Sequence, residues 1–252
     1  MKHSAAFLLA LAAACAAPAP SPPPRVPTAP APPPSAPPVA TADPLAEAPS
    51  SPVRPTVPFP SIVHRHLTGG LDLAIVPRPG FPVVELRLIV LSGQATDGNL
   101  PGLAALTGKL LKDGGAGPWS SRELAEKTEA LGAHLSIGTD RDATRIGLGV
   151  TSDKLDPALD ILAALAERPR FPAAEFAKLR QREIDRVKDR ARTSPSWLAS
   201  MVLYRELYEL PVSIHPYARY DALPEEMAEL KLEHVKRWYK DQFTPENAVL
   251  VV

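Results

Sequence analysis

The sequence predicts an α+β domain in which an antiparallel or mixed β-sheet carries helices packed on one face. Segments with period-2 alternation and β-branched residues occur in pairs, and segments with helical periodicity also occur in pairs. Because paired strands are followed by paired helices, without strict alternation, a purely parallel sheet is disfavoured. The stretch 61–252 is long enough to bury a core of its own.

The elements follow in chain order from these two periodicities. Strands are expected at 62–67, 71–77 and 83–91, then helices at 102–112 and 121–131, strands at 133–139 and 144–150, helices at 155–167, 173–192, 195–210 and 232–243, and a last strand at 248–252. Ser120 and Glu123 have the spacing of a capping box at the start of the second helix. Gly132 stands where that helix would end in a left-handed residue.

The first 15 residues have the features of an export signal. Lys2 and His3 form a basic start, residues 5–11 are apolar, and small residues lead to Cys15, the single cysteine of the chain. We interpret residues 1–15 as a signal peptide with a lipobox, so that Cys15 is lipidated and holds the protein to a membrane. The alternative is an ordinary signal peptide in which Cys15 is incidental. Both interpretations place the protein in the bacterial periplasm or cell envelope.

The segment 16–60 differs in composition from everything after it. It holds 18 of the 31 prolines, mixed with alanine, serine and threonine and almost free of charge. Such a segment cannot bury a core and favours extended polyproline geometry, so we interpret it as a disordered tether. Over the whole chain, 28 basic and 28 acidic residues give a formal charge of zero, which argues against a nucleic-acid partner.

The segment PGLAALTGKLLKDGG, residues 101–115, predicts an unusual helix. Gly108 lies in its interior, where glycine costs about 1 kcal/mol relative to alanine. A residue selected only for helix stability would not be glycine. We therefore expect a neighbouring side chain or backbone to pack closely against this position.

Together with its surroundings, this helix resembles the metal-binding helix of the insulinase/pitrilysin family of metallopeptidases, the inverzincins. In that family the helix reads G-L-A-H-x-x-E-H-x-L-x-x-G-T, in which two histidines bind zinc and the glutamate activates water. The positions that fit are Gly102, Leu103, Ala104, Leu110 and Gly114. The resemblance extends over roughly residues 62–252. It implies the fold of one metallopeptidase half, of the type found in insulinase and the mitochondrial processing peptidase.

The residues for zinc chemistry are missing from this helix. The first histidine falls on Ala105, the glutamate on Gly108 and the second histidine on Lys109. Alanine and glycine offer no donor atom, and an ammonium group repels a dication. We therefore expect no catalytic residue, no metal and no cofactor, although catalytic relatives carry zinc.

The resemblance also places the third zinc ligand, a glutamate, on the long helix 173–192. Glu183 is close to the expected spacing, and Asp185 and Glu175 are alternatives because the register is uncertain by a turn. We hypothesise that Lys109 fills the vacant metal position and forms a salt bridge with Glu183. The alternative is that Lys109 points to solvent.

Catalytic relatives capture substrate as an extra strand along the edge strand that corresponds here to GAHLSIGTD. The resemblance puts the paired positions at Ser136 and Ile137, where the family usually has Asn-Ala. Because β-augmentation uses main-chain groups, an extended peptide could still be held there. The alternative is that another part of the molecule covers this edge.

Two histidines require a separate comment. His64 and His66 lie at i and i+2 on a predicted strand, a spacing that occurs in metal sites. No cysteine or nearby acidic residue completes such a site, so we interpret both as half-exposed strand residues.

The resemblance implies a non-catalytic homologue that pairs with a zinc-bearing homologue in a hetero-oligomer and binds peptide substrates for proteolysis. One alternative is a membrane-tethered peptide-binding or scaffolding lipoprotein without a protease partner. Another is an active zinc metallopeptidase with an unrecognised site. Family chains normally continue into a second domain of similar fold, so we expect the 252-residue chain to be truncated.

Overall fold

A computed structural model describes residues 59–208 and 215–252. The predictions for the signal segment 1–15, for lipidation of Cys15 and for nearly all of the tether 16–60 therefore lie outside the described residues. Within them, the predicted fold class is confirmed: the domain is an α+β structure with a mixed sheet and helices on one face.

Among the described residues the sheet has six strands: β1 (Val63–His66), β2 (Asp72–Ile75), β3 (Val83–Val90), β4 (His134–Thr139), β5 (Thr144–Thr151) and β6 (Ala248–Val251). Their spatial order is β1-β2-β6-β3-β5-β4. Only β2 and β6 run parallel, and all other neighbours are antiparallel. The order leaves β4 at one edge of the sheet.

The helices of the described residues are α1 (Leu103–Gly114), α2 (Ser121–Ala130), α3 (Leu155–Glu167), α4 (Ala173–Thr193), α5 (Pro195–Tyr208), α6 (Pro224–Ala228) and α7 (Leu232–Gln242). The capping box is present, with the Ser120 N–H donating to Glu123 Oε2 at 2.8 Å, and Gly132 has a φ of 65°. Helix α6 was not predicted, because its five residues are too few to show a period. None of the helices in these ranges is long and apolar enough to cross a lipid bilayer.

Alternation along the central strands explains why the helices cover one face. Leu86, Leu88, Ile146 and Leu148 are buried beneath α2 and α3, whereas Glu85, Arg87 and Arg145 on the same strands are exposed. A second apolar cluster joins α1, α4 and α7 through Leu106, Leu110, Phe176, Leu179 and Val235. Helix α1 is thereby fixed between the sheet and the long helix α4.

Candidate functional site

The start of α1 is fixed by a carboxylate rather than by a cap on the helix itself. The two Asp97 oxygens accept hydrogen bonds from the Gly102 and Ala104 N–H groups, each at 2.8 Å. The first N–H groups of a helix have no partner within it, so Asp97 satisfies two of them. This contact orients the helix that carries the degenerate zinc positions.

One narrow stripe of α1 faces solvent. Ala105, Lys109 and Lys112 follow each other at helical spacing and are the more exposed residues of the helix. On one side of this stripe, Gly108 contacts β4. On the other side, Asp113 forms a 2.9 Å ion pair with Arg182 of α4. The stripe therefore runs between the sheet edge and α4.

The structure brings Lys109 and Glu183 together. The Lys109 Nζ lies 2.5 Å from Glu183 Oε2, and the Arg186 Nε donates to the same oxygen at 2.7 Å. Glu183 is 8% exposed, whereas the Lys109 side chain keeps 43% of its surface exposed. The carboxylate is thus buried under two cations, one of which also faces solvent.

These contacts decide which acidic residue of α4 faces the degenerate site. Glu175 pairs with Lys178 at 2.9 Å, and Asp185 accepts a hydrogen bond from Gln181 at 3.0 Å, both on the exposed surface of α4. Only Glu183 of the three meets Lys109. The packing of α4 on α1 therefore places Glu183 beside Lys109 and leaves Glu175 and Asp185 at the surface.

The ionisation of Glu183 reflects competing effects. Burial alone would raise the pKa of its carboxyl group, because the charged form loses hydration. Hydrogen bonds from Lys109 and Arg186, with the positive charge of both groups, outweigh burial and hold the pKa of Glu183 below its ordinary value. Glu183 is consequently ionised at neutral pH.

We expect this ion pair to stabilise the fold in a pH-dependent way. A carboxyl group with a lowered pKa in the folded state stabilises fully above its unfolded pKa of 4.5, and the contribution is lost as the pH falls through the folded value. The free energy of unfolding of Glu183→Gln should therefore fall below that of the wild type at pH 7. The difference should shrink below about pH 4. Urea denaturation across this range measures both, and a pH-independent difference would contradict the assignment.

The close packing expected at Gly108 is present. A Cβ atom built on Gly108 would lie 2.3 Å from the Oγ1 of Thr139 on β4, far inside van der Waals contact. Thr139 is held in place by a 3.2 Å hydrogen bond between its Oγ1 and that of the fully buried Thr144. The position that would carry the water-activating glutamate is therefore closed by the sheet.

The side chains at this location do not fit a zinc ion. Ala105 and Gly108 have no donor atom, and Lys109 directs its ammonium group to the one carboxylate nearby. The Thr139 contact leaves no room for a longer side chain at residue 108 unless β4 moves or the Thr139–Thr144 hydrogen bond breaks. No hydrolytic step through a metal can be built from these residues.

The edge strand β4 has two kinds of backbone position. The Asp140 N–H donates to the Ala143 carbonyl at 3.0 Å, which closes the β4–β5 hairpin with a hydrogen-bonded pair. Since hydrogen-bonded and open pairs alternate in an antiparallel ladder, Ser136 bonds to Gly147 of β5 and Ile137 directs its N–H and C=O outward. Of the two predicted positions, Ile137 is the one able to pair with an added strand.

The tip of this hairpin contacts α5 and residues 217–219. The Arg141 guanidinium lies 4.2 Å from the ring centre of Tyr204 and donates to the Arg219 carbonyl at 3.0 Å. The adjacent Asp142 accepts a hydrogen bond from the Tyr217 hydroxyl. These contacts fix the end of β4 at which Thr139 meets α1.

The contributions of three residues to this site were not predicted from the sequence: Arg186, Thr139 and Arg141. Arg186 could have been found, because it follows Glu183 at i+3 on a helix, a spacing at which side chains meet. Thr139 and Arg141 gave no such signal, since their partners are distant in sequence and lie on other elements.

The expectation that no acidic residue lies near His66 is wrong. Asp72 lies opposite it on β2, and its Oδ1 is 2.8 Å from His66 Nδ1. The pairing register could not be derived from the strand pattern alone. Both His64 and His66 are exposed rather than half-exposed, and among residues 59–208 and 215–252 no three His, Cys, Asp or Glu side chains gather as a metal site would need.

Comparison with known proteins gives a family and a set of related structures. The model of the insulinase family, peptidase family M16, matches residues 74–210. No curated protein matches the sequence significantly. The crystal structure of a peptidase M16 inactive domain from Pseudomonas fluorescens is similar, with a TM-score of 0.69 and 27% sequence identity over 76% of this chain and 46% of that one.

Two further structures share the fold. A protease from Helicobacter pylori has a TM-score of 0.63 and 19% identity over 76% of this chain and 46% of its own. The periplasmic protease PqqL from Escherichia coli has a TM-score of 0.62 and 17% identity over 75% of this chain and 21% of its own. The chain thus spans less than half the length of each of these three proteins.

Proposed function

Because the chain belongs to the insulinase family, peptidase family M16, we propose that it is a non-catalytic member that binds extended peptides. In this proposal the protein is exported, anchored through a lipid on Cys15, and paired with a zinc-bearing homologue that cleaves what it binds. Two observations support the proposal: the side chains at residues 105, 108 and 109 do not suit a zinc ion, and β4 lies at the edge of the sheet that the described residues form.

The observation that carries the non-catalytic assignment is the ion pair at the degenerate site. Lys109 and Arg186 both contact Glu183, so the carboxylate beside residue 109 is already paired with protein cations. Gly108 is pressed against Thr139, so the general-base position is occupied by the sheet. The similar structure from Pseudomonas fluorescens, described as an inactive domain, supports the same assignment.

The first test is the metal content of the purified protein. We expect substantially less than one zinc per chain after mild dialysis, because Ala105, Gly108 and Lys109 provide no ligand. Elemental analysis by mass spectrometry measures it, with a zinc-bearing family member dialysed in parallel as the control. One tightly held zinc per chain would overturn the assignment.

Peptide binding is proposed at the outer edge of β4. The backbone of Ile137 directs its donor and acceptor away from β5, and a peptide strand could pair with them as it does in other β-augmented complexes. The contacts of Arg141 hold this edge before a peptide arrives, so the protein strand itself loses little conformational entropy on binding.

Replacing Ile137 by proline tests this edge. Proline removes the outward N–H without removing a bond to β5, so we expect at least a tenfold loss of affinity for extended peptides. Fluorescence anisotropy with labelled peptides of about ten residues measures it. Ile137→Val keeps the N–H and serves as the matched control. Equal binding by the proline and valine variants, with both folded by circular dichroism, would place the peptide elsewhere.

Pairing with a catalytic homologue is proposed because a chain without zinc ligands needs a partner to contribute to proteolysis. We expect a mixture with a zinc-bearing family member from the same bacterium to form a complex of both chains in light scattering. Peptide binding without any such complex would favour a tethered peptide-binding lipoprotein instead.

A further inference from the structure

We propose that the degenerate metal position selects acidic peptides, with a carboxylate of the bound peptide lying against Lys109. The proposal rests on the proposed capture of peptides at the edge of β4. It assigns to Lys109 a role in peptide specificity, at the position where catalytic relatives have the second zinc-binding histidine.

The exposed stripe of α1 lies where an added strand would pass. Gly108 contacts Thr139 of β4, and Lys112, Ala105 and Lys109 follow it around the helix from the β4 side toward α4. A strand paired with β4 would lie about 4.8 Å farther out from its edge, over Ala105, Lys109 and Lys112 rather than over the sheet. Alternate side chains of that strand would point toward α1, because successive side chains of a strand point to opposite faces.

The charge along this stripe is positive. Lys109 and Arg186 share one carboxylate, Glu183, so their group carries an excess of one positive charge. Lys112 adds a second exposed cation on the same stripe. Arg182 and Asp113 pair with each other and leave this excess unchanged. The chain as a whole has zero formal charge, so the excess is local.

Lys109 can contact a ligand and Glu183 at the same time. Its ammonium group has three donors, and the side chain is 43% exposed even with the salt bridge formed. A peptide carboxylate at this point would complete a pairing of two cations with two carboxylates. A lysine or arginine at the same peptide position would meet two cations and be disfavoured.

The test uses three labelled peptides of about ten residues that alternate threonine and valine and differ in one central pair of residues. The pair is Glu-Glu, Gln-Gln or Lys-Lys, so that one of its two side chains faces α1 in either frame. We expect the Glu-Glu peptide to bind wild-type protein about fivefold more tightly than Gln-Gln, the size of a partly exposed ion pair. Lys-Lys should bind most weakly. Equal affinity for all three would overturn the proposal.

Variants locate the preference. Lys109→Met should remove the difference between Glu-Glu and Gln-Gln, Lys109→Arg should retain it, and Lys236→Met, an exposed lysine on α7, should leave it unchanged. A preference that survives Lys109→Met, or is lost in Lys236→Met, would overturn the assignment to Lys109.

Ile137→Pro separates the two proposals. If no peptide binds wild type, or binding is insensitive to Ile137→Pro, edge capture itself fails. If binding depends on Ile137 but not on peptide charge, only the acidic preference fails.

Discussion

Replacing Gly108 by alanine is expected to destabilise the domain by about 1–2 kcal/mol, although alanine is the better helix former by about 1 kcal/mol. The added methyl group would lie 2.3 Å from the Oγ1 of Thr139. Threonine has a stiff χ1, and this one is held by its hydrogen bond to Thr144, so the contact is relieved only by moving β4 or breaking that bond. Urea denaturation measures the loss.

Two further variants separate crowding from helix propensity. Ala105→Gly, on the exposed stripe of α1, should cost about 1 kcal/mol from propensity alone. Thr139→Ala removes the crowding oxygen, so the double variant with Gly108→Ala should be more stable than the two single losses predict, by more than about 0.5 kcal/mol. Stabilisation by Gly108→Ala alone would show that the space beside α1 is open. In that case a glutamate could be accommodated at this position.

Removing Glu183 should cost more than removing Lys109, although the two form one salt bridge. Glu183→Ala leaves both Lys109 and Arg186 without their carboxylate and opens a space beneath them, so we expect a loss of about 2 kcal/mol. Lys109→Met should cost less than about 1 kcal/mol, because Lys109 is partly exposed and Arg186 still pairs with Glu183.

Thermal and urea unfolding of both variants measure this difference. Gln181→Ala, which removes a hydrogen bond to Asp185 on the exposed surface of α4, is the matched control and should change stability by less than about 0.5 kcal/mol. A larger loss for Lys109→Met than for Glu183→Ala would mean that Lys109 is the buried partner. It would then be unavailable to a peptide, and the proposed acidic preference would lose its physical basis.

Most of the secondary structure could be predicted from the sequence because periodicity and caps are local properties. The strand 83–91 and the helix 121–131 differ from β3 and α2 by only one residue each at their ends. The lack of side-chain donor atoms at residues 105 and 108, and the lysine at residue 109, could also be read from the sequence. Gly108 even indicated a close contact, because a glycine in a helix interior has a cost that packing must offset.

The arrangement of the site depended on tertiary structure. Glu175, Glu183 and Asp185 point in different directions around α4, and only the packing of α4 on α1 decides which of the three meets Lys109. Likewise, the identity of Thr139 as the residue against Gly108 and the outward direction of Ile137 follow from how β4 pairs and where the sheet ends. The sequence by itself determined which side chains stand at residues 105, 108 and 109, because donor atoms belong to single residues. What those side chains contact depends on residues far apart in the chain, and only the folded structure decides that.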